Sequence, residues 1–274
     1  MRANYNPAIK YVFVINHQPP SSLISKARWN KVKSMVHSLA QPKQAGIKAV
    51  LFDAYGTLFD VYSVSLLAEQ LFPGHGQAIS VIWRDKQIEY TRLINTSTTS
   101  GGSVNAPFYK PFWDVTRDAL RYACAKVQMT LDATAEERLM NQYRALSAFP
   151  ENKSVLQNLK AAGIPTGILS NGDPGMLDVA IKSAGLDGLL DHVLSADSVR
   201  FFKTHPAVYA LGPEALGRPA NEILFVSSNG WDALGATWYG YQALWLNRQQ
   251  LPVETLGTMP PHIATSLTDV QTLF

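Results

Sequence analysis

The chain has 274 residues, of which 46% are hydrophobic and 16% charged, as is typical of a folded globular protein and not of a disordered one. No run approaches the ~18 apolar residues that a membrane-spanning helix needs, so we expect no membrane association. The single cysteine, Cys124, excludes an internal disulfide and suits a reducing compartment. We therefore expect a cytoplasmic protein in which Cys124 is a core residue of a helix.

The charge is distributed unevenly along the chain. Residues 1–52 contain eight Lys or Arg and no acidic residue, whereas residues 53–274 contain 16 basic and 21 acidic residues. We interpret residues 1–47 as a poorly ordered, dispensable basic leader; a targeting extension, or a start upstream of a natural one at Met35, would have the same composition. Since residues 53–274 carry no basic stripe interleaved with aromatic residues, we expect no nucleic-acid partner.

The first predicted element is a buried strand, Ala49–Phe52, followed at once by Asp53. Gly56 and Thr57 then break the extended pattern. A short apolar run bounded by turn residues is typical of a strand buried on both faces of a parallel sheet. In open α/β sheets the functional groups lie beyond the carboxyl ends of the strands. Asp53 is therefore a candidate functional residue.

The pattern after the first strand is helical. We predict helices that cover residues 66–71, 78–93, 112–126 and 134–148, with Asp132 as a possible N-cap of the last. Residues 95–106, rich in Thr, Ser and Gly, are typical of a loop. We interpret residues 65–149 as a helical cap inserted into an α/β core.

Strands and helices alternate after this helical region. We predict strands at residues 164–169, 189–194, 223–226 and 241–246, and helices at residues 155–162, 176–184 and 208–216. This alternation predicts an α/β fold with a Rossmann-like parallel sheet. The catalytic core would consist of residues 48–64 and 150–274.

Polar side chains end the predicted core strands or follow them. Each of them alone is weak evidence, because a Ser-Asn pair is usually a turn or cap and a lone Lys is usually solvated. Their joint position after successive strands is far more specific. The candidate residues are Asp53, Ser170, Asn171, Lys203, Ser227, Ser228, Asn229 and Asp232.

The string from Asp53 to Leu58, D-x-x-G-T-L, closely resembles the nucleophile motif of the haloacid dehalogenase superfamily. Two positions depart from the phosphatases of that superfamily. Tyr55 stands where they carry a general acid, and a phenol is a poor substitute for a carboxyl group at neutral pH. Ser228 stands where they carry an Asp that binds Mg²⁺. A phosphate facing a carboxylate needs such a cation, whereas fixed donors can hold a small halocarboxylate.

The strings FDAYGTLFDV, WRDKQIEYTRL, FWDVTRDAL, LSNG and FVSSNGWDALGA resemble the L-2-haloacid dehalogenases. The resemblance implies hydrolysis of short (S)-2-haloalkanoic acids to 2-hydroxy acids without a metal or other cofactor. The partners it implies are a small halocarboxylate, a halide and a second copy of the chain in a homodimer. The six histidines show no HxxxH or HExxH spacing, so a histidine-based metal site is not expected.

The same resemblance assigns the roles of individual residues. Asp53 attacks C2 by SN2 displacement, and water hydrolyses the resulting ester. Thr57 helps to hold the bound anion, and Lys203 keeps Asp53 ionised. The remaining implied catalytic residues are Arg84, Ser170, Tyr209, Ser227, Asn229 and Asp232, of which the last three position or activate the hydrolytic water. The implied substrate-binding residues are Tyr55, Arg84, Ile88, Phe112, Ser170, Asn171 and Trp231, with Arg84 and Asn171 receiving the halide.

One departure concerns the loop of Lys203. The family has Pro after this Lys, whereas here Thr204 and His205 precede Pro206, so the loop geometry is open. Two other functions remain as alternatives: a phosphatase or phosphonate hydrolase on the same fold, against which Tyr55 and Ser228 count, and a non-catalytic binding protein on a decayed fold. Retention of both Asp53 and Lys203 counts against the latter.

Overall fold

The computed structural model describes residues 46–97 and 106–274. The chain divides into two units, and all described residues belong to the second, Gly46–Phe274. The predicted leader lies outside the described residues except for its last two positions, and the predicted loop at 95–106 lies mostly outside them.

A parallel six-stranded sheet forms the centre of the described fold. Its strand order is β3-β2-β1-β4-β5-β6, and all neighbouring strands pair in parallel. The strands are β1 (Ala49–Phe52), β2 (Thr166–Ser170), β3 (His192–Ser195), β4 (Ile223–Ser227), β5 (Gln242–Leu246) and β6 (His262–Ala264). The Rossmann-like α/β prediction is confirmed.

The burial of each strand follows its place in the sheet. Every residue of β1, β2, β4 and β5 is buried, as expected for strands covered on both faces. The edge strands β3 and β6 are partly exposed. Strand β6 was not predicted, because three half-exposed residues leave no continuous apolar run to detect.

Helices fill the connections between the strands. They are α1 (Ser65–Leu71), α2 (Gly76–Asn95), α3 (Phe112–Lys126), α4 (Ala133–Arg144), α5 (Asn152–Ala161), α6 (Pro174–Ser183), α7 (Pro206–Leu216) and α8 (Gly230–Tyr239). Short 3-10 helices add Ala196–Val199, Ala220–Glu222 and Leu267–Leu273. Helix α3 has the predicted bounds, and Asp132 caps α4 by accepting a hydrogen bond of 2.8 Å from Ala135 N. Helix α8 was not predicted.

Two predicted boundaries are wrong for identifiable reasons. The helix predicted to reach residue 148 ends at Arg144, because the following residues bond to the loop after β1: Asp60 N donates to Ser147 O at 2.8 Å. The strand predicted at 189–194 begins at His192. The Asp191 carboxylate instead accepts from Thr166 N at 2.8 Å, which holds the segment before β3 in a turn.

Helices α1 to α4 lie between β1 and α5 in the chain and share one hydrophobic cluster with the sheet. Trp83 of α2 donates from Nε1 to Thr116 O of α3 at 2.7 Å, which ties these two helices together. The division into a cap at 65–149 and a core stays a prediction. Among the described helices, none combines the length and the apolar character needed to cross a membrane. Cys124 is buried in α3, and burial raises the pKa of its thiol to about 11.

The close approach of α1 and α2 depends on Gly76. A Cβ atom there would lie 2.3 Å from Glu69 N and 2.5 Å from Glu69 Cα, both backbone atoms. We predict that Gly76→Ala lowers the free energy of unfolding by about 1–3 kcal/mol, the usual cost of overpacking, in urea denaturation. Gly175→Ala in α6 is the matched control, since its added Cβ would meet Asp173 Oδ1 at an ordinary 3.4 Å and Ala favours helix. Equal stability of the two variants would contradict the account.

Candidate active site

The carboxyl ends of β1 and β4 meet at the point where the strand order reverses. From β1 the chain runs to β2 and β3 on one side, and to β4, β5 and β6 on the other. Crevices at such switch points are the usual ligand sites of open α/β sheets. Asp53 follows β1 directly and its backbone N donates to Val226 O of β4 at 2.9 Å, so Asp53 lies in this crevice.

Both oxygens of Asp53 accept hydrogen bonds from side chains. Oδ1 accepts from Lys203 Nζ at 2.9 Å. Oδ2 accepts from Thr57 Oγ1 at 2.9 Å and from Asn229 Nδ2 at 2.8 Å, with Ser227 Oγ at 3.5 Å. Asp53 is 5% exposed, so these donors stand in for the water that would otherwise solvate a carboxylate.

Lys203 lies between two carboxylates. Its Nζ is 2.9 Å from Asp53 Oδ1 and 2.9 Å from Asp232 Oδ2, and the residue is 1% exposed. Burial acts to lower the pKa of Lys203, but the charges of Asp232 and Asp53 outweigh it, and the pKa is raised above its ordinary value. Lys203 is therefore a cation at neutral pH in this site.

Asp232 is fully buried and pairs with Lys203. Two carboxylates face one ammonium, so burial and the charge of Asp53 raise the pKa of Asp232 against the opposing effect of Lys203. Its Oδ1 also accepts from Tyr209 Oη at 2.8 Å. A raised pKa makes the Asp232 carboxylate a stronger base than an ordinary aspartate.

The Lys203 loop reaches the site although it lacks the Pro of the family pattern. Lys203 N donates to Asn171 Oδ1 at 2.8 Å. His205 then caps α7 with Nδ1, which accepts from Ala207 N at 3.2 Å. The loop is thus held by hydrogen bonds on both sides of Thr204. In this geometry Lys203 contacts Asp53 without the Pro of the family pattern.

Arg84 extends from α2 into the same crevice. It is 8% exposed, and its Nη2 donates to Tyr55 O at 3.1 Å and to Asn229 Oδ1 at 3.0 Å. Arg84 thus contacts the loops that follow β1 and β4. The guanidinium is a fixed cation that faces the cavity described next.

A small cavity opens at Asp53. Every residue predicted to bind substrate lines it, together with Thr91, which the sequence analysis missed. The lining residues are Asp53, Tyr55, Arg84, Ile88, Thr91, Phe112, Ser170, Asn171, Asn229 and Trp231. The hydroxyl of Tyr55 is buried and has no hydrogen-bond partner among the described residues. Burial raises the pKa of Tyr55 well above its ordinary value, so the phenol stays protonated.

Not every predicted residue touches the cavity. Tyr209 lies behind Asp232, to whose backbone O it also donates at 3.1 Å. Ser228 donates its backbone N to Thr57 Oγ1 at 2.8 Å, and its buried hydroxyl has no partner in the part of the chain described. Thr91 could have been found by helical spacing, because it shares a face of α2 with Arg84 and Ile88. Across residues 46–97 and 106–274, no group of three or more His, Cys, Asp or Glu could hold a metal ion.

We predict that Lys203→Met lowers the free energy of unfolding by about 3–5 kcal/mol at pH 8, because two buried carboxylates then lack their cation. Loss of Lys203 raises the pKa of Asp232 further. The folded variant then holds a proton that the unfolded chain releases, so its stability should increase as the pH falls from 8 toward the ordinary pKa of Asp. Denaturation across this pH range measures the effect.

Lys182→Met is the matched control, because Lys182 forms an exposed ion pair with Asp178 on α6. Its stability should stay near that of the unchanged protein. A Lys203→Met variant that is as stable as this control, or that loses stability as the pH falls from 8, would contradict the arrangement of charges described above.

Comparisons with known proteins point to one family. The family model of haloacid dehalogenase-like hydrolases matches residues 47–240. The (S)-2-haloacid dehalogenase of Pseudomonas sp. (strain YL) is 42% identical over 228 residues, or 83% of this chain and 94% of that protein. A crystal structure of an L-2-haloacid dehalogenase matches with a TM-score of 0.79 and 57% identity, covering 84% of this chain and 99% of the other.

A further solved structure is similar and holds a reacted ligand. It is the L-2-haloacid dehalogenase from Xanthobacter autotrophicus with chloropropionic acid covalently bound, at a TM-score of 0.75 and 35% identity, covering 83% of this chain and 98% of that one. Because the family model spans more than half of the sequence and such relatives match most of its length, the chain belongs to the haloacid dehalogenase-like hydrolase family.

Proposed function

We propose that this chain is a 2-haloacid dehalogenase that hydrolyses short (S)-2-haloalkanoic acids to 2-hydroxy acids and halide. The observation that carries the proposal is a buried Asp53 carboxylate held by Lys203, Thr57 and Asn229 beside a small cavity. The names of the relatives support the same substrate class. Tyr55 and Ser228, in place of carboxylates, disfavour the phosphatase alternative.

The first step is displacement at C2 of the substrate. An oxygen of Asp53 donates an electron pair to C2, the carbon–halogen bond breaks, and its electron pair leaves with the halide. The product is an ester of Asp53, which splits one difficult displacement into two easier steps. Arg84 and Asn171 receive the halide, since a fixed cation stabilises charge that develops in the transition state.

The second step is hydrolysis of that ester. Water adds to the carboxyl carbon of Asp53 and gives up a proton to Asp232, whose raised pKa suits this role. The bond from that carbon to the ester oxygen then breaks, and the leaving oxygen takes the proton from Asp232 to form the 2-hydroxy acid. The second proton of the water is released to solvent, which returns Asp53 to a carboxylate. Ser227 and Asn229 position the water, and Tyr209 holds Asp232 in place through its hydroxyl.

The substrate carboxylate needs neutral or cationic donors. Ser170 Oγ accepts from Gly172 N at 3.0 Å, so the hydroxyl proton of Ser170 is free to donate to the substrate. Tyr55, Ile88, Phe112 and Trp231 line the same cavity and contact the carbon skeleton. This apolar wall limits the chain length of the substrate and excludes bulk water.

Two finer expectations accompany the proposal. The family resemblance supports a homodimer, which light scattering after gel filtration would detect. The single cysteine supports a cytoplasmic location. No cofactor is assigned to the reaction: Lys203 and Arg84 are the cations that the proposed steps use.

We predict that Asp53→Asn abolishes turnover, because a neutral amide is a much weaker nucleophile than a carboxylate. In the unchanged enzyme, one turnover in ¹⁸O-labelled water should place the label in Asp53 and leave the product unlabelled. Mass spectrometry of the digested protein and of the 2-hydroxy acid measures both. Label in the product of the first turnover would mean that water attacks C2 and that Asp53 acts only as a base.

We also predict that Arg84→Ala lowers kcat about a hundredfold, which corresponds to a rise on the order of 3 kcal/mol in the activation free energy. The change in KM should be smaller. The leaving halide gains its charge in the transition state, so the cation matters most there. Arg84→Lys should recover only part of the rate, because a point charge does not reproduce the planar guanidinium. Halide release under saturating substrate measures the effect.

Arg121→Ala is the matched control, since Arg121 is an exposed arginine of α3 paired with Glu136. It should keep kcat within about twofold, as surface substitutions usually do. If Arg84→Ala raises KM and leaves kcat intact, then Arg84 binds the substrate carboxylate, and the halide role assigned to it is wrong.

A further inference from the structure

One face of α2 points toward the site along several turns. Arg84, Ile88, Thr91 and Asn95 follow one another at helical spacing and therefore share a side of the helix. The first three line the cavity at Asp53. Asn95 is the last residue of α2 and extends the same stripe beyond the cavity.

Asn95 forms two hydrogen bonds with the backbone of a single residue. Its Nδ2 donates to Phe202 O at 2.7 Å, and its Oδ1 accepts from Phe202 N at 2.8 Å. A side-chain amide carries both a donor and an acceptor and so can satisfy both groups of one residue. Phe202 is 0% exposed, so water cannot easily replace these bonds.

Phe202 immediately precedes Lys203. The backbone of the pair is therefore held from two sides, by Asn95 of α2 at Phe202 and by Asn171 after β2 at Lys203 N. The Lys203 side chain is long and flexible, and its ammonium must remain 2.9 Å from both Asp53 and Asp232. Fixing its backbone restricts where that ammonium can lie.

A polar residue at the end of a helix usually bonds to its own last turn. Thr96, the next residue, does so: its Oγ1 donates to Leu93 O at 3.1 Å. Asn95 differs, because both of its bonds join α2 to a segment far along the chain. These bonds therefore connect the helix that carries Arg84 to the loop that carries Lys203.

We propose that Asn95 is a positioning residue that fixes Lys203 against Asp53 and Asp232 through the backbone of Phe202. The inference rests on the proposed function, which gives Lys203 its role at the nucleophile. Helix α2 then aligns two cations of the site: Arg84, which it carries, and Lys203, which it holds through Asn95. Substitution of Asn95 should then act on the chemical step and not on substrate binding.

The test is Asn95→Ala in the full-length protein, with 2-chloropropionate as substrate. We expect kcat to fall about tenfold to a hundredfold, the size of effect that a displacement near 1 Å produces, while KM stays within about twofold. Thr96→Ala is the matched control and should retain the unchanged kcat. Circular dichroism gives the folded fraction, and kcat is expressed per folded molecule.

The pH profile separates positioning from simple destabilisation. The charged groups that face Lys203 are Asp53 and Asp232, with the Tyr209 hydroxyl beyond Asp232. The carboxylates raise the pKa of Lys203, so its displacement from them lowers that pKa. The alkaline limb of kcat should therefore move to lower pH in Asn95→Ala and stay in place in Thr96→Ala.

If Asn95→Ala does not fold, a second variant provides the test. Asn95→Asp keeps the acceptor for Phe202 N and loses the donor to Phe202 O, so it should show the same loss of kcat and the same shift of the alkaline limb. Unchanged kcat and pH profile in the folded variants would overturn the inference. Absence of halide release by the unchanged protein would instead refute the proposed function, so the two failures are distinguishable.

Discussion

The structure of the site depends on one buried ammonium shared by two carboxylates. Lys203 is 1% exposed and lies 2.9 Å from both Asp53 and Asp232. A charge removed from water is tolerated only when it is paired and hydrogen-bonded. The parallel sheet meets this requirement by ending β1 and β4 at one crevice, where the loop before α7 delivers the lysine. The Asp53 carboxylate is thereby buried while it remains paired with a cation.

The charge balance of the site fits the presence of Tyr55 and Ser228 at the two positions where the phosphatases carry carboxylates. With Tyr55 and Ser228 at those positions, Lys203 faces two acidic side chains, and burial together with the charge of Asp53 raises the pKa of Asp232. A further carboxylate in this crevice would need another cation, as it does in phosphoryl transfer, where Mg²⁺ supplies it. A singly charged halocarboxylate that reacts at a nearly neutral carbon needs no such compensation. The absence of carboxylates at positions 55 and 228 is thus consistent with the proposed substrate.

The sequence predicts those parts of the structure that depend on a local pattern of residues or on a known motif. The strand before Asp53 and the full extent of α3 follow from local patterns of apolar residues, and the superfamily motifs located Lys203 and Asp232. The end of α4 was wrong because residues beyond Arg144 bond to the loop after β1. The role proposed for Asn95 has no local signal at all, because its partner Phe202 is distant in the chain and only the tertiary fold brings them together.

The proposed reaction is displacement of halide from C2 by Asp53 without a divalent cation. Its most direct test is the release of chloride from (S)-2-chloropropionate by the purified protein in excess EDTA, with a generic phosphate ester assayed in parallel with and without Mg²⁺. We expect stoichiometric chloride and 2-hydroxy acid in EDTA and no phosphate in either condition. Phosphate release that requires Mg²⁺, with no chloride from the haloacid, would contradict it.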